Sequence, residues 1–114
     1  MKLITKQIEK LLSEYPLRSQ DGKRDNALVL AKFFMPSSAF TFYMLEGDIS
    51  QQTAYGIIVG FDNSAEYGYI SLNEMQTVSN RLGLGVERDM YFNKCKVSEI
   101  EDSQVKSLVE RLWK

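Results

Sequence analysis

Residues Leu28 to Glu74 hold nine of the chain's thirteen aromatic side chains, together with five acids and a single base, Lys32. Rings and β-branched residues arrive there in short runs separated by turn residues. That pattern fits a pleated, half-buried surface and no long helix. The middle of the chain therefore has to become a sheet, with aromatics building its core and lining one pocket or face.

The runs can be placed. Leu28–Met35 reads as a strand stopped by Pro36. Ala39–Glu46 is a second, turned by Gly47-Asp48, and Ala54–Phe61 a third, turned by Asp62-Asn63-Ser64. Glu66–Ile70 is a fourth, and the short connections predict an antiparallel meander. Val86–Phe92 is read as a fifth strand.

Helical spacing brackets this sheet. Ile4, Ile8, Leu11, Leu12 and Tyr15 share one face, Thr5 or a neighbour is placed to cap the start, and Pro16 disfavours helix at Tyr15. Residues 17–27 are polar and contain Asp21-Gly22, a loop signal. Ser71-Leu72-Asn73-Glu74 is a capping box opening a short helix from Leu72 to about Val78. Asn80–Gly85 reads as a loop. Ser98-Glu99-Ile100-Glu101 is a second box, expected to open a C-terminal helix with a Val105/Leu108/Val109/Leu112 stripe and Asp102/Lys106 and Glu110/Lys114 pairs. The fold class is α+β: a single antiparallel four- to five-stranded sheet with an N-terminal helix, a short helix after the fourth strand and a C-terminal helix. The terminal helices are expected on one face, and residues 1–114 form one domain.

Strand alternation assigns faces. Phe40, Phe42 and Met44 share one, and Thr41, Tyr43 and Leu45 the other. Tyr55, Ile57, Val59 and Phe61 share a face, opposite Ala54, Gly56, Ile58 and Gly60. The two glycines leave a low spot to be filled by a helix, a neighbouring ring or a ligand.

Charge and composition exclude several functions. The net charge of −1 hides a sum of −4 over residues 28–75, so the sheet prefers cations or basic partners. Histidine is absent, which removes histidine acid–base chemistry, serine–histidine and cysteine–histidine pairs and histidine metal sites. The lone Cys95 cannot form an internal disulfide and, with no export signal, fits a reducing cytoplasm. Lys94 and Lys96 flank it, yet no base accompanies it, and it reads as incidental. No apolar run approaches the ~20 residues of a membrane span. Tyr55–Phe61 is weakly similar to an RNA-stacking strand, but the segment lacks the basic residues that meet phosphate, so nucleic-acid binding is not expected. Gly83-Leu84-Gly85 lacks the third glycine and the following helix of a phosphate loop.

The candidate ligand or partner contacts are Glu66, Tyr69, Glu87, Arg88, Asp89 and Tyr91. If Val86–Phe92 is extended, Glu87, Asp89 and Tyr91 share one face, with the carboxylates roughly 7 Å apart. That arrangement suits acid–base work or a hard cation, or simply a solvated strand face. Arg88 sits among apolar neighbours and is expected to pair with Glu66 or Glu74, or to hold a ligand's carboxylate or phosphate.

Taken together, Lys32-Phe33-Phe34-Met35-Pro36, Phe42-Tyr43, Tyr55-Gly56-Ile57-Ile58-Val59-Gly60, Glu66–Glu74 and Leu82–Phe92 occur in an order that resembles a family of short bacterial proteins catalogued only as a domain of unknown function. The resemblance spans about residues 1–100. It implies an accessory or anti-defence role, because such proteins are often met on plasmids, conjugative elements and phages, and it implies no activity. The family's polar positions here are Glu66, Ser71, Glu74, Glu87, Arg88 and Asp89.

The sequence thus reads as a small cytoplasmic, non-enzymatic module that binds a protein through its acidic aromatic sheet or its C-terminal helix, with no cofactor and no metal. The alternative is a small-molecule or hydrolytic site around Glu87, Arg88 and Asp89. Trp113 falls about 100° off the helical stripe and also fits a homodimer interface.

Overall fold

The computed structural model describes residues 3–78 and 84–114. Helix α1 runs Lys6–Glu14. Thr5 caps it, its Oγ1 accepting the Ile8 N–H at 3.3 Å, and the helix stops one residue before the Tyr15–Pro16 bond. Its apolar stripe buries Ile8 and Leu12.

The first expected strand divides in two. β1 (Leu28–Val29) pairs antiparallel with β7 (Cys95–Lys96), and β2 (Ala31–Phe34) joins the main sheet. β3 (Thr41–Asp48), β4 (Thr53–Val59) and β5 (Ala65–Ser71) follow as the meander that the short turns predict. The fifth strand, β6, is only Glu87–Arg88, and the order is β5-β4-β3-β2-β6 with every pairing antiparallel. The extended run expected over 86–92 ends early. Beyond Arg88 the chain turns: the Tyr91 N–H donates to Asp89 Oδ1 at 2.9 Å, an Asp-directed turn that competes with the ladder. α2 (Leu72–Thr77) is capped by Ser71, whose Oγ accepts the Glu74 N–H at 3.1 Å. The expected 80–85 loop lies outside the described residues except for Leu84 and Gly85.

The terminal helices take opposite faces of the sheet, not one. α1 and α2 cover Ala31, Phe33, Phe42, Met44 and Ala54. α3 (Ser103–Trp113) covers Tyr43, Leu45, Ile57, Val59 and Ala65. The reason is that both faces of the central strands are apolar: β3 is buried from Phe42 through Gly47. A sheet wet on one side alternates polar and apolar, whereas this one needs two covers. The buried stripe of α3 is Val105, Leu108 and Val109, each contributing about 2 kcal/mol on burial. Leu112 does not continue it.

The start of α3 also departs from expectation. The Ser98 segment forms a single 3-10 turn, Val97–Glu99, and Asp102 caps the helix by accepting the Gln104 N–H at 2.8 Å. The other oxygen of Asp102 accepts the Tyr43 hydroxyl at 3.0 Å, tying the helix start to the middle of the sheet. With Asp102 so engaged, Lys106 pairs with Glu101 (3.3 Å), and Lys114 pairs with Asp25 (3.8 Å) rather than with Glu110.

Candidate functional site

One irregularity in β3 organises the end of the sheet. Met44 stands opposite Gly56 but Glu46 stands opposite Tyr55, so Leu45 is an extra residue, a β-bulge. Strict alternation would send Glu46 to the face of Met44. The extra residue returns it to the face of Tyr43 and Tyr55, beneath the 17–27 loop. There it is 4% exposed. One carboxylate oxygen accepts the Arg18 N–H at 2.6 Å and the other the Gln20 N–H at 3.0 Å. Gln20, also buried, donates its amide to the carbonyls of Leu28 and Leu45, both at 2.8 Å, and accepts the Leu28 N–H at 2.7 Å. The bulge also explains Gly56: a Cβ there would run into the Tyr43 carbonyl. The low spot on this strand is filled at Gly56 by neighbouring backbone and at Gly60 by the Asp62 carboxylate.

The loop that this network holds carries Arg18 (φ 75°), Gly22 (φ 81°) and Arg24 (φ 54°) in the left-handed region. For the two arginines that conformation costs about 1 kcal/mol or more each. It borders a cleft of about 350 Å³. Leu45, Glu46, Tyr55 and Tyr67 give the sheet wall, Leu112 and Trp113 the helix wall, and Gln20, Asp21, Gly22 and Arg24 the rim. A row of rings runs along the sheet wall. Trp113 meets Tyr67 edge-on at 5.4 Å, Tyr67 stacks on Tyr55 at 6.0 Å, and Tyr69 tilts against Tyr55 at 4.8 Å. Trp113 is thus a half-buried packing residue. The large apolar residue that α3 leaves exposed is Leu112, at 48%.

The electrostatics are mixed. Burial, and then the charges of Tyr69, Glu46 and Asp21, push the Tyr55 hydroxyl above its ordinary pKa. Burial holds Tyr67 well above the ordinary tyrosine range. The Arg18 guanidinium is raised by its 3.0 Å hydrogen bond to Asp21. The raised values leave the phenols neutral and the arginine charged near neutral pH, which suits recognition.

The residues singled out from the sequence are spread over both sheet edges. Glu66 and Tyr69 lie on β5, while Glu87 and Arg88 form β6, four strand spacings or about 19 Å away. An Arg88–Glu66 pair is therefore out of reach. Arg88 donates to Gln7 Oε1 at 3.1 Å, and among the described residues it makes no ion pair with Glu66 or Glu74. Glu66 pairs with Arg111 of α3 at 3.0 Å. Asp89 lies 3.7 Å from Lys32, and Tyr91 is 94% exposed. Cys95 has its thiol pKa raised by burial and by Glu99. The pair that the sequence reading missed is Gln20 with Glu46. A carboxylate at the end of an apolar strand, beside Gly47 and opposite a polar loop, was the available signal.

The family described as Protein of unknown function (DUF2958) matches residues 3–102. The chain belongs to this family. No curated protein and no solved structure matches it. The DUF2958 match takes in the sheet, the Glu46–Gln20 network and the Asp102 cap, and it stops where α3 begins. The helix wall of the cleft, Leu112 and Trp113, therefore lies beyond the matched span. Among the described residues no helix is long and apolar enough to cross a membrane, and no cluster of three or more acids or cysteines is placed to hold a metal ion.

Proposed function

We infer that this protein is a non-enzymatic binding module whose cleft between the 17–27 loop, the tyrosine row and the end of α3 receives a segment of a protein partner. The observation that carries this reading is the loop itself. Arg18 is held left-handed by its backbone bond to the buried Glu46 carboxylate, and the same loop carries a left-handed Arg24 to the rim of a ready-made cleft; strain fixed in that way is characteristic of binding sites. Preorganisation reduces the ordering cost of association. The cleft offers an apolar floor, neutral phenol rings and a rim with charges of both signs, as protein recognition surfaces do. A single cysteine suits a reducing, cytoplasmic setting. The resemblance to proteins met on plasmids, conjugative elements and phages makes a mobile-element accessory or anti-defence inhibitor the biological context of this reading.

The test is affinity capture from the native host with wild type and with Leu112→Asp, whose exposed site tolerates a charge. A partner retained by wild type and lost from Leu112→Asp is the expected result. Equal capture by both proteins, or capture of nothing above background by wild type in repeated trials, overturns the reading.

A further inference from the structure

The two edges of the main sheet are unlike. The β6 edge is two residues long, carries Glu87 and Arg88 and turns away at once. Short and charged, it is guarded against further pairing. The β5 edge is seven residues long, regular in register with β4, and holds no proline, lysine or bulge. Its one charge, Glu66, is taken by Arg111.

The direction of its free backbone groups follows from the ladder. Gly60 donates to the Ser64 carbonyl and Leu72 to the Gln52 carbonyl, both at 2.9 Å. Antiparallel pairing alternates, so Glu66, Gly68 and Ile70 bond inward to β4. The N–H and C=O groups of Tyr67 and Tyr69 point off the edge, and among the described residues no hydrogen bond uses them. Tyr69 is 64% exposed beside them.

We propose that β5 pairs antiparallel with β5 of a second copy of this chain, about a two-fold axis at Gly68, to make one continuous ten-stranded sheet. Self-pairing is favoured over an unrelated strand because the edge is complementary to itself in this register. Tyr67 exchanges both backbone bonds with Tyr69 of the other copy, and Tyr69 does so with its Tyr67. Gly68 meets Gly68 at the non-hydrogen-bonded position, where backbones approach within about 4.5 Å and side chains crowd most. Glu66 stands opposite Ile70, so no like charges face each other. The Trp113–Tyr67–Tyr55–Tyr69 row of each copy then continues into that of the other. The pairing does not depend on the cleft being a partner site.

Sedimentation equilibrium from micromolar to millimolar protein, with amide hydrogen exchange at both extremes, decides it. The expected result is a concentration-dependent dimer in which the Tyr67 and Tyr69 amides become protected. Tyr69→Pro spares the inward ladder, since the Tyr69 N–H points outward. Tyr69→Lys adds a charge to the edge. Each variant should weaken the dimer at least tenfold with an unchanged circular dichroism spectrum, while Tyr91→Lys at the other end of the sheet leaves it intact. If Tyr69→Pro fails to fold, Tyr69→Lys and the wild-type exchange pattern still decide. A monomer at every concentration, a dimer indifferent to both Tyr69 variants, or Tyr67 and Tyr69 amides that exchange freely in the dimer would each overturn the proposal. Protection that appears only on adding a host protein would assign the edge to a partner's strand instead.

Discussion

The Glu46 carboxylate accepts the backbone N–H of Gln20 at 3.0 Å, and the Gln20 side chain donates back to the Leu45 carbonyl beside it at 2.8 Å. Across 26 residues of chain, a strand bulge and a loop satisfy each other's buried polar groups. The bulge buries a charge that needs donors, and the loop holds left-handed arginines that need anchoring.

Removing the charge should release the loop. Glu46→Gln keeps the shape but turns an NH₂ group toward one of the two N–H donors. The expected cost is about 2 kcal/mol, since bonds to a charged acceptor are the stronger kind. That corresponds to roughly 8 °C in Tm. Calorimetry reads the Tm, and hydrogen exchange should show the Arg18 and Gln20 amides losing protection before the sheet does.

Gly56→Ala tests the bulge from the other side. The added methyl meets the Tyr43 carbonyl, which is backbone and cannot rotate away. Destabilisation of about 3 kcal/mol is expected. It should appear in urea titration as a lower midpoint with an unchanged slope.

Tyr67→Phe should move the other way. Among the described residues the Tyr67 hydroxyl is buried without a hydrogen-bond partner. Deleting it removes an uncompensated desolvation penalty, so a gain of about 1 kcal/mol in thermal or urea unfolding is the expected result. A loss of stability would mean that the hydroxyl has a partner in solution.

Alkaline pH should weaken the fold through Tyr43. Burial, followed by the charge and hydrogen bond of Asp102, lifts its pKa well above the ordinary 10.0. A raised acid pKa means that the unfolded chain gives up this proton first. Tyr43 thus stabilises the fold fully below pH 10.0, and its contribution is lost as pH rises above that value. Urea midpoints measured across about pH 9 to 11.5 should fall. They should fall less steeply in Tyr43→Phe, which is itself destabilised at neutral pH by about 1 kcal/mol for its lost bond to Asp102.

Much of this was readable in the chain because it is local. Thr5 and Ser71 cap where their spacing says, Pro16 ends α1, and the turn at Asp62-Asn63-Ser64 helps order the meander, whereas the turn expected at Gly47-Asp48 falls at 49–52 because those two residues stay in β3, opposite Ala54 and Thr53. Alternation separated Phe42 and Met44 from Tyr43 along β3 and grouped Ile57 with Val59 along β4, and the pairing of the two strands then put Tyr43, Ile57 and Val59 on one face. What failed was what depends on partners distant in sequence. The run 86–92 has strand-like residues, but the Asp89 side chain bonds its own backbone and bends it away. Ser98 has the spacing of a cap, yet Asp102 takes that role because it also receives Tyr43, 59 residues earlier.

Sequence alone determined the class of this protein: a ring-rich antiparallel meander between helices, without histidine, because periodicity and turn chemistry act over a few residues at a time. Only the tertiary structure decided where its site lies. One extra residue in β3 reverses the face that Glu46 shows, sheet order carries Glu66 and Arg88 to opposite edges, and α3 closes over Tyr67 to make a cleft. Those outcomes depend on which strands neighbour one another, and short-range spacing in a chain carries no such information.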